Sequence, residues 1–237
     1  MIKLSIIIPV FNEITCLEQF TKRLFESFKN EMVEYIFVDD GSYDGSGDWL
    51  LNFCSNKLNN DCKLIAVKHN MGKGNALHQG INNANGQYIL FQDADLELDT
   101  NDSLKMLKII SGDLTMECLF GSRYLLGKPK NNNYLYEFIG KFNSLLFNIL
   151  FNESLSDLHC GTKIISKKVL HSLNLTIKDF GVEIDLASQI SKKNYEIYEY
   201  GISYFPRTKK EGKKITWIDG LKSYYYLFKL RFIQKNK

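Results

Sequence analysis

A repeated rhythm restricts this chain more than any single motif. Four short apolar runs, "KLSIIIPV", "EYIFVDD", "KLIAVKHN" and "GQYILFQDAD", are each followed by a segment with helical spacing: "CLEQFTKRLFESFKN", "SGDWLLNFCSN", "KGNALHQGINNA" and "SLKMLKII". The runs are continuous rather than alternating, as in strands covered on both faces, and the connections suit right-handed parallel crossovers. The expected fold is α/β, a mostly parallel central sheet flanked by helices. In open sheets of this kind ligands bind beyond the carboxyl ends of the strands. The unusual residues gather there: Asn12 and Glu13, Asp39 and Asp40, Asn70 to Gly74, Asp93 and Asp95.

After "ECLFGSRYL" the rhythm changes. A polar loop "GKPKNNN" leads to a predicted helix from about 134 to 151, then to "DLHCGTKIISKKVLHSL", a helix in "GVEIDLASQISKKN" and a strand in "YEIYEYGISYF". The loop "PRTKKEGKK" precedes a last helix, "TWIDGLKSYYYLFKLRFIQKNK", which is aromatic and basic. With 237 residues, no Pro/Gly/Ser-rich linker and no internal repeat, the chain reads as one domain over 1–237. Met1 runs directly into a strand without the parts of a signal peptide, and no apolar run reaches the ~18 residues of a spanning helix. Five cysteines without a CxxC pair suggest neither a disulfide framework nor a zinc site, so a cytoplasmic protein is expected. Charge is uneven: from Pro206 to Lys237 ten Lys/Arg face two acids, leaving −5 on the preceding residues in a chain whose total is +3. That basic end wants an anionic partner.

Residues two apart in an extended chain face the same way, so Asp93 and Asp95 can present carboxylates to one point, with Glu97 nearby. Few, hard oxygen ligands suit Mg²⁺ or Mn²⁺ shared with a substrate's phosphates. The competing reading is an acidic helix N-terminus, and for Asp99 and Asp102 the cap is preferred. In "VDDGSYDGS", Asp39 and Asp40 lie at the strand mouth and Gly41 permits a sharp turn; Ser42 or Asp44 can cap the next helix while Asp39 or Asp40 bonds a ligand. "NMGKGNA" can bring backbone N–H groups and Lys73 to an anion at a helix N-terminus. It matches neither GxxxxGK[ST] nor GxGxxG.

Taken together and in this order, "IIIPVFNE", "VDDGSYDGS", "NMGKGNALHQGINNANGQYILFQDADLE" and "GSR" resemble the nucleotide-sugar-binding half of family two glycosyltransferases with the GT-A fold. Within that family the chain is similar to the soluble branch that includes dolichyl-phosphate mannosyltransferase and dolichyl- or polyprenyl-phosphate glucosyltransferase. The resemblance covers about residues 3 to 125. It implies a nucleotide-sugar-binding half over 1–125, an acceptor side and basic loop over 126–216, and a C-terminal aromatic and basic helix over 217–237. It puts Pro9, Val10, Asn12 and Glu13 around the nucleoside, Asp40 on the base with Lys73 close by, Asp93 near the ribose or metal, and Asp95 on the metal. Glu97 stands where the mannosyltransferases typically have Gln, which makes the site more negative and more dependent on its cation. Arg123 would face the phosphates or the acceptor, and the loop from Arg207 to Lys214 resembles one that closes over the diphosphate.

The implied reaction is an inverting transfer of sugar from a UDP- or GDP-linked donor, with a divalent cation as Lewis acid on the leaving diphosphate. A hydroxyl acceptor would need a general base, for which Glu183 or Asp185 in "GVEIDL" is the candidate; two apart on a helix they do not share a face, and Glu183 is favoured. A lipid phosphate needs cations instead, and Arg123, Arg207, Lys213 and Lys214 could supply them. Asp157 either orients the acceptor loop or caps a turn, and His159 reads as a loop or acceptor-side residue. "SYYYLFKLRF" suits a membrane interface or burial of its tyrosines against the sheet. The reading adopted is transfer to polyprenyl phosphate at the cytoplasmic membrane face, with peripheral contact through the C-terminal segment and no nucleic-acid partner. The alternatives are transfer to a glycan or glycolipid hydroxyl in cell-surface polysaccharide synthesis, or a non-catalytic nucleotide-sugar-binding module. Sugar nucleotidyltransferases would carry a glycine-rich, arginine-containing loop where this chain has "PVFNE".

Overall fold

The computed structural model describes residues 3–56, 62–127, 134–207 and 217–233, with only the backbone at 217–219 and 221. The four expected strand–helix pairs are present: β1 Leu4–Val10 and α1 Ile14–Ser27, β2 Val33–Asp39 and α2 Ser46–Ser55, β3 Cys62–Ala66 and α3 Lys73–Asn83, β4 Tyr88–Phe91 and α4 Thr100–Gly112. There follow β5 Cys118–Ser122, α5 Tyr134–Phe151, β6 Lys163–Ser166, α6 Lys167–Ser172, α7 Val182–Lys192, β7 Tyr198–Gly201 and α8 Trp217–Phe228, which runs into a π-helical turn, Lys229–Ile233. Seven strands form one sheet in the order β3-β2-β1-β4-β6-β5-β7. β1 pairs in parallel with both β2 and β4, and β6 alone runs antiparallel, to β4 on one side and β5 on the other.

The continuous apolar runs are buried on both faces, as their composition requires. Along β1, Ile7 packs with Ala76 and Leu77 of α3 on one side of the sheet, while Ile6 and Ile8 pack with Leu17, Phe20 and Leu24 of α1 and Met106 of α4 on the other. Because the chain leaves β1 towards β2 and returns as β4 on its opposite flank, the carboxyl ends of β1 and β4 form a switch point where crossovers diverge.

The strand expected within "YEIYEYGISYF" is confined to β7. β6 comes from "DLHCGTKIISKKVL", for which no strand was expected, and it lies between β4 and β5. The later part of the chain therefore reaches inside the sheet of the earlier part. Asp99 caps α4, accepting from Asn101 N at 2.9 Å, as expected. Gly45 stands at the N-cap of α2 without a side-chain bond of its own, but Asp44 does part of the expected capping, its Oδ1 accepting from Ser46 N at 2.9 Å; Ser42 does not. Both residues also tie the β2 loop to the β1 loop: Asn12 N donates to Ser42 Oγ and Ile14 N to Asp44 Oδ2.

α3 begins under close backbone contact. A Cβ on Gly74 would overlap the Ile177 carbonyl oxygen and lie 2.8 Å from the Lys178 carbonyl carbon. Gly74→Ala is expected to lose about 1–3 kcal/mol in urea denaturation. Gly112→Ala, with nothing within 4 Å, is expected to leave stability unchanged or slightly raised.

Candidate active site

Beyond the strand ends lies a cavity of ≈ 470 Å³ whose walls include Pro9, Val10 and Glu13, Asp40, Lys73, and Asp93, Asp95 and Glu97. Arg123, Asn143, His159, Glu183, Tyr204 and Arg207 line the same space. Of the residues expected around the nucleoside, Asn12 differs. Its backbone is left-handed, with φ 52, and its Oδ1 accepts from Tyr43 N at 2.9 Å, so it shapes the loop rather than lining the cavity. Asp40 accepts from Met71 N at 3.0 Å and Gly72 N at 2.7 Å, holding the loop that leads into α3.

Glu13, Asp95 and Glu97 meet around one guanidinium. Arg207 Nη1 donates to Glu13 Oε2 at 2.9 Å, Nη2 donates to Asp95 Oδ2 at 3.1 Å, and Nε lies 3.8 Å from Glu97 Oε1. The segment after β7 delivers this arginine. It runs beside 97–102 through a Leu98–Tyr204 bridge, with Phe205 N donating to Glu97 O at 2.8 Å and Arg207 N to Glu97 Oε1 at 2.7 Å. Burial, with the charges of Asp93 and Glu97 close by, pushes the Asp95 carboxyl up to about 7 even though Arg207 pulls it down. Three carboxyl groups around one guanidinium crowd negative charge among hard oxygens, a donor chemistry that fits a divalent cation.

The three expected metal ligands are not gathered for the purpose. Asp93 turns instead to Lys73, 2.8 Å away, and among the described residues no group of three acidic, His or Cys side chains stands ready to hold an ion. Lys73 Nζ also lies 3.0 Å from Glu183 Oε1, and Glu183 Oε2 meets the buried ammonium of Lys163. Burial acts to raise the Glu183 carboxyl, but the two lysines outweigh it and hold the group below the usual carboxylate range. Asp185 points away, accepting from Thr176 N and Ile177 N, so only one of the two acids on α7 faces the cavity.

The opposite wall is built on a second ion pair. Arg123 donates from Nε to Asp157 Oδ2 at 2.7 Å and from Nη2 to Oδ1 at 2.8 Å. Its guanidinium carbon lies 5.6 Å and 5.2 Å from the ring centroids of Tyr124 and Tyr204. Asp157 orients the arginine rather than capping a turn. Burial pushes His159 down to about 4, so the ring is neutral near pH 7, and its Nε2 lies 3.1 Å from Asn143 Nδ2. Lys213 and Lys214 lie outside the described residues.

Sequence reasoning missed Lys163, Tyr204 and Asn143. A single lysine opening "KIIS" reads as the edge of a surface run, and the signal that would have found it is the absence of any other polar residue between it and Ser166.

The fold and the site define a GT-A type glycosyltransferase domain. The family model for glycosyl transferase family 2 matches residues 5–173, and the chain belongs to that family. It is 26% identical over 230 residues to a dolichyl-phosphate beta-glucosyltransferase of Dictyostelium discoideum, covering 90% of this chain and 69% of that protein. To the Saccharomyces cerevisiae protein of the same name it is 29% identical over 229 residues, covering 85% and 66%. An undecaprenyl-phosphate 4-deoxy-4-formamido-L-arabinose transferase of Proteus mirabilis is 38% identical over 97 residues, which are 40% of this chain and 29% of that protein. A part of each relative thus extends beyond the match. Among solved structures, glucosyl-3-phosphoglycerate synthase from Mycobacterium tuberculosis in complex with UDP superposes with a TM-score of 0.72 at 16% identity, covering 99% of this chain and 82% of that one. The same enzyme with Mn²⁺, UDP and phosphoglyceric acid gives 0.70. At that identity the likeness is one of fold.

Removing one partner of a buried pair leaves the other charge stranded. Asp157→Asn is expected to cost about 3 kcal/mol in chemical denaturation, and Arg123→Met/Asp157→Leu to recover most of that loss.

Proposed function

We propose that this chain is an inverting glycosyltransferase that moves a sugar from a UDP- or GDP-linked donor to polyprenyl phosphate. The observation that carries the choice of acceptor is the state of the acids on the acceptor side. Glu183 is held ionised between Lys163 and Lys73, and Asp157 between the backbone and side chain of Arg123. Neither is suited to take a proton from a sugar hydroxyl. An ionised phosphate needs no base, and the Arg123 guanidinium, planar and fixed by Asp157, is suited to orient it. Among the described residues the acids on that side, Glu183, Asp157 and the cavity-lining Glu137 beside Lys141, are each paired with a cation, and direct displacement with inversion is the simplest course.

On the donor side, Asp95 and Glu97, with Asp93 from the same strand end, are the residues that would hold Mg²⁺ or Mn²⁺. When bound, the cation would supply Lewis-acid stabilisation of the leaving diphosphate. Arg207 and Lys73 stand beside that position to meet the phosphate oxygens. The carboxylates and Arg123 wall one cavity, so donor and acceptor can be held together.

α5 and α8 suggest how a lipid acceptor reaches it. Tyr136, Ile139, Gly140 and Asn143 of α5 and Ser223 of α8 line the cavity, whereas Leu135, Phe138, Phe142, Leu145 and Ile149 form an exposed stripe on the other side of α5. Tyr225 and Phe228 of α8 are also exposed, alongside Lys222 and Arg231. Among the described residues no helix is long and apolar enough to cross a membrane. We read this face as a peripheral contact with an anionic membrane surface, made by α5 as well as by the C-terminal segment. The branch of the relatives, named for dolichyl and undecaprenyl phosphate, supports the same acceptor class.

The test is a panel of radiolabelled UDP- and GDP-sugars incubated with vesicles containing polyprenyl phosphate. Label is expected to enter the lipid extract and to be released by mild acid, and Asp95→Asn to lower the rate by on the order of 10²-fold or more. Label found only in an acid-stable glycan product would overturn the phosphate acceptor.

A further inference from the structure

Lys163 does not line the cavity, and its side chain is 0% exposed. It enters on β6 opposite Phe91 of β4, with its ammonium 4.9 Å from the centroid of the Phe120 ring. There it meets Glu183 Oε2, donates to the Cys160 carbonyl and lies 3.4 Å from the Leu158 carbonyl. Beyond Glu183 stand Lys73, 3.0 Å from Oε1, and then Asp93, 2.8 Å from Lys73 Nζ. Four charges of alternating sign thus run from inside the sheet to the cavity wall. The innermost also closes the turn that carries His159 and Gly161. That turn lies so close that a Cβ on Gly161 would come within 3.0 Å of Lys73 Nζ and overlap the Asp93 carboxylate.

Stability is a weak reason for such an arrangement, since well-packed apolar residues in place of a buried ion pair are often neutral or stabilising. A hydrophobic pair could not, however, hold a carboxylate beside Lys73. The lysine side chain is a flexible stem ending in a point charge, and it keeps one position only where fixed partners surround it. We propose that Lys163 is a positioning residue for the donor site: it fixes the Glu183 carboxylate, which in turn fixes the Lys73 ammonium against Asp93, where the donor's diphosphate is received. This rests on the nucleotide-sugar reading of the cavity. It assigns Glu183 a holding task instead of proton transfer, and makes β6 the link between the acceptor-side turn and the donor-side cation.

The test uses Lys163→Met/Glu183→Leu, which removes both partners together, and titrates UDP and GDP into the full chain by calorimetry alongside thermal unfolding. The double variant is expected to unfold within a few degrees of the wild type and to bind the nucleoside diphosphate about tenfold or more weakly, the size of one charge-assisted hydrogen bond. Unchanged or tighter binding with an intact fold would overturn the proposal. Should that variant fail to fold, Glu183→Gln keeps the shape and removes the charge. A several-fold loss of affinity is then expected, and unchanged affinity overturns the proposal equally. A wild-type chain that binds neither UDP nor GDP would defeat the donor reading itself, a result distinct from either of these.

Discussion

A demand for positive charge at the carboxyl ends of β1 and β4 organises this molecule. Glu13 follows one strand and Asp95 and Glu97 the other, and the switch point brings them together whether or not anything is there to receive them. Such a cluster is costly unless a cation enters it. In this structure the cation is Arg207, carried in by the segment after β7, which is held against Glu97 and Leu98 by backbone bonds. The last third of the chain is thus fastened to the first by the same charge that a metal diphosphate would otherwise satisfy.

The opposite wall follows a different electrostatic rule. Arg123 with Asp157 there, and Lys73 and Lys163 with Asp93 and Glu183 between the two walls, are matched within the protein, and neutral His159 adds no charge. Matched groups are poor proton acceptors but good fixed dipoles and hydrogen-bond donors, and they need not reorganise when a charged acceptor arrives. One cavity therefore contains a site short of positive charge and a site already balanced, which is the division the proposed transfer would use.

Much of this could be read from the sequence. Continuous apolar runs ending in Asn, Asp and Glu gave the parallel strands and the location of the site, because burial on both faces and ligand binding at strand ends are general consequences of the fold. That Glu183 and Asp185 do not share a face followed from helix geometry alone. What could not be read depends on contacts between distant segments. The insertion of β6 between β4 and β5 leaves no local mark, and Lys163 looks like a surface residue until its strand is placed centrally. Ser42 had the chemistry of a cap, yet a partner thirty residues away claimed it, and Asp44 shares itself between the start of α2 and the equally distant Ile14 N. The bonds of Arg207 to Glu13 and Asp95 span 194 and 112 residues, beyond any local pattern.

The central claim is that the carboxylates at the strand tips form a cation site whose charge Arg207 balances only in part. The most direct measurement is Mn²⁺ binding, followed by electron paramagnetic resonance without nucleotide, in the wild type and in Arg207→Ala. The account predicts that the variant, relieved of its internal cation, binds Mn²⁺ about tenfold more tightly, consistent with the loss of one competing charge-assisted contact. Equal or weaker binding by the variant would contradict it.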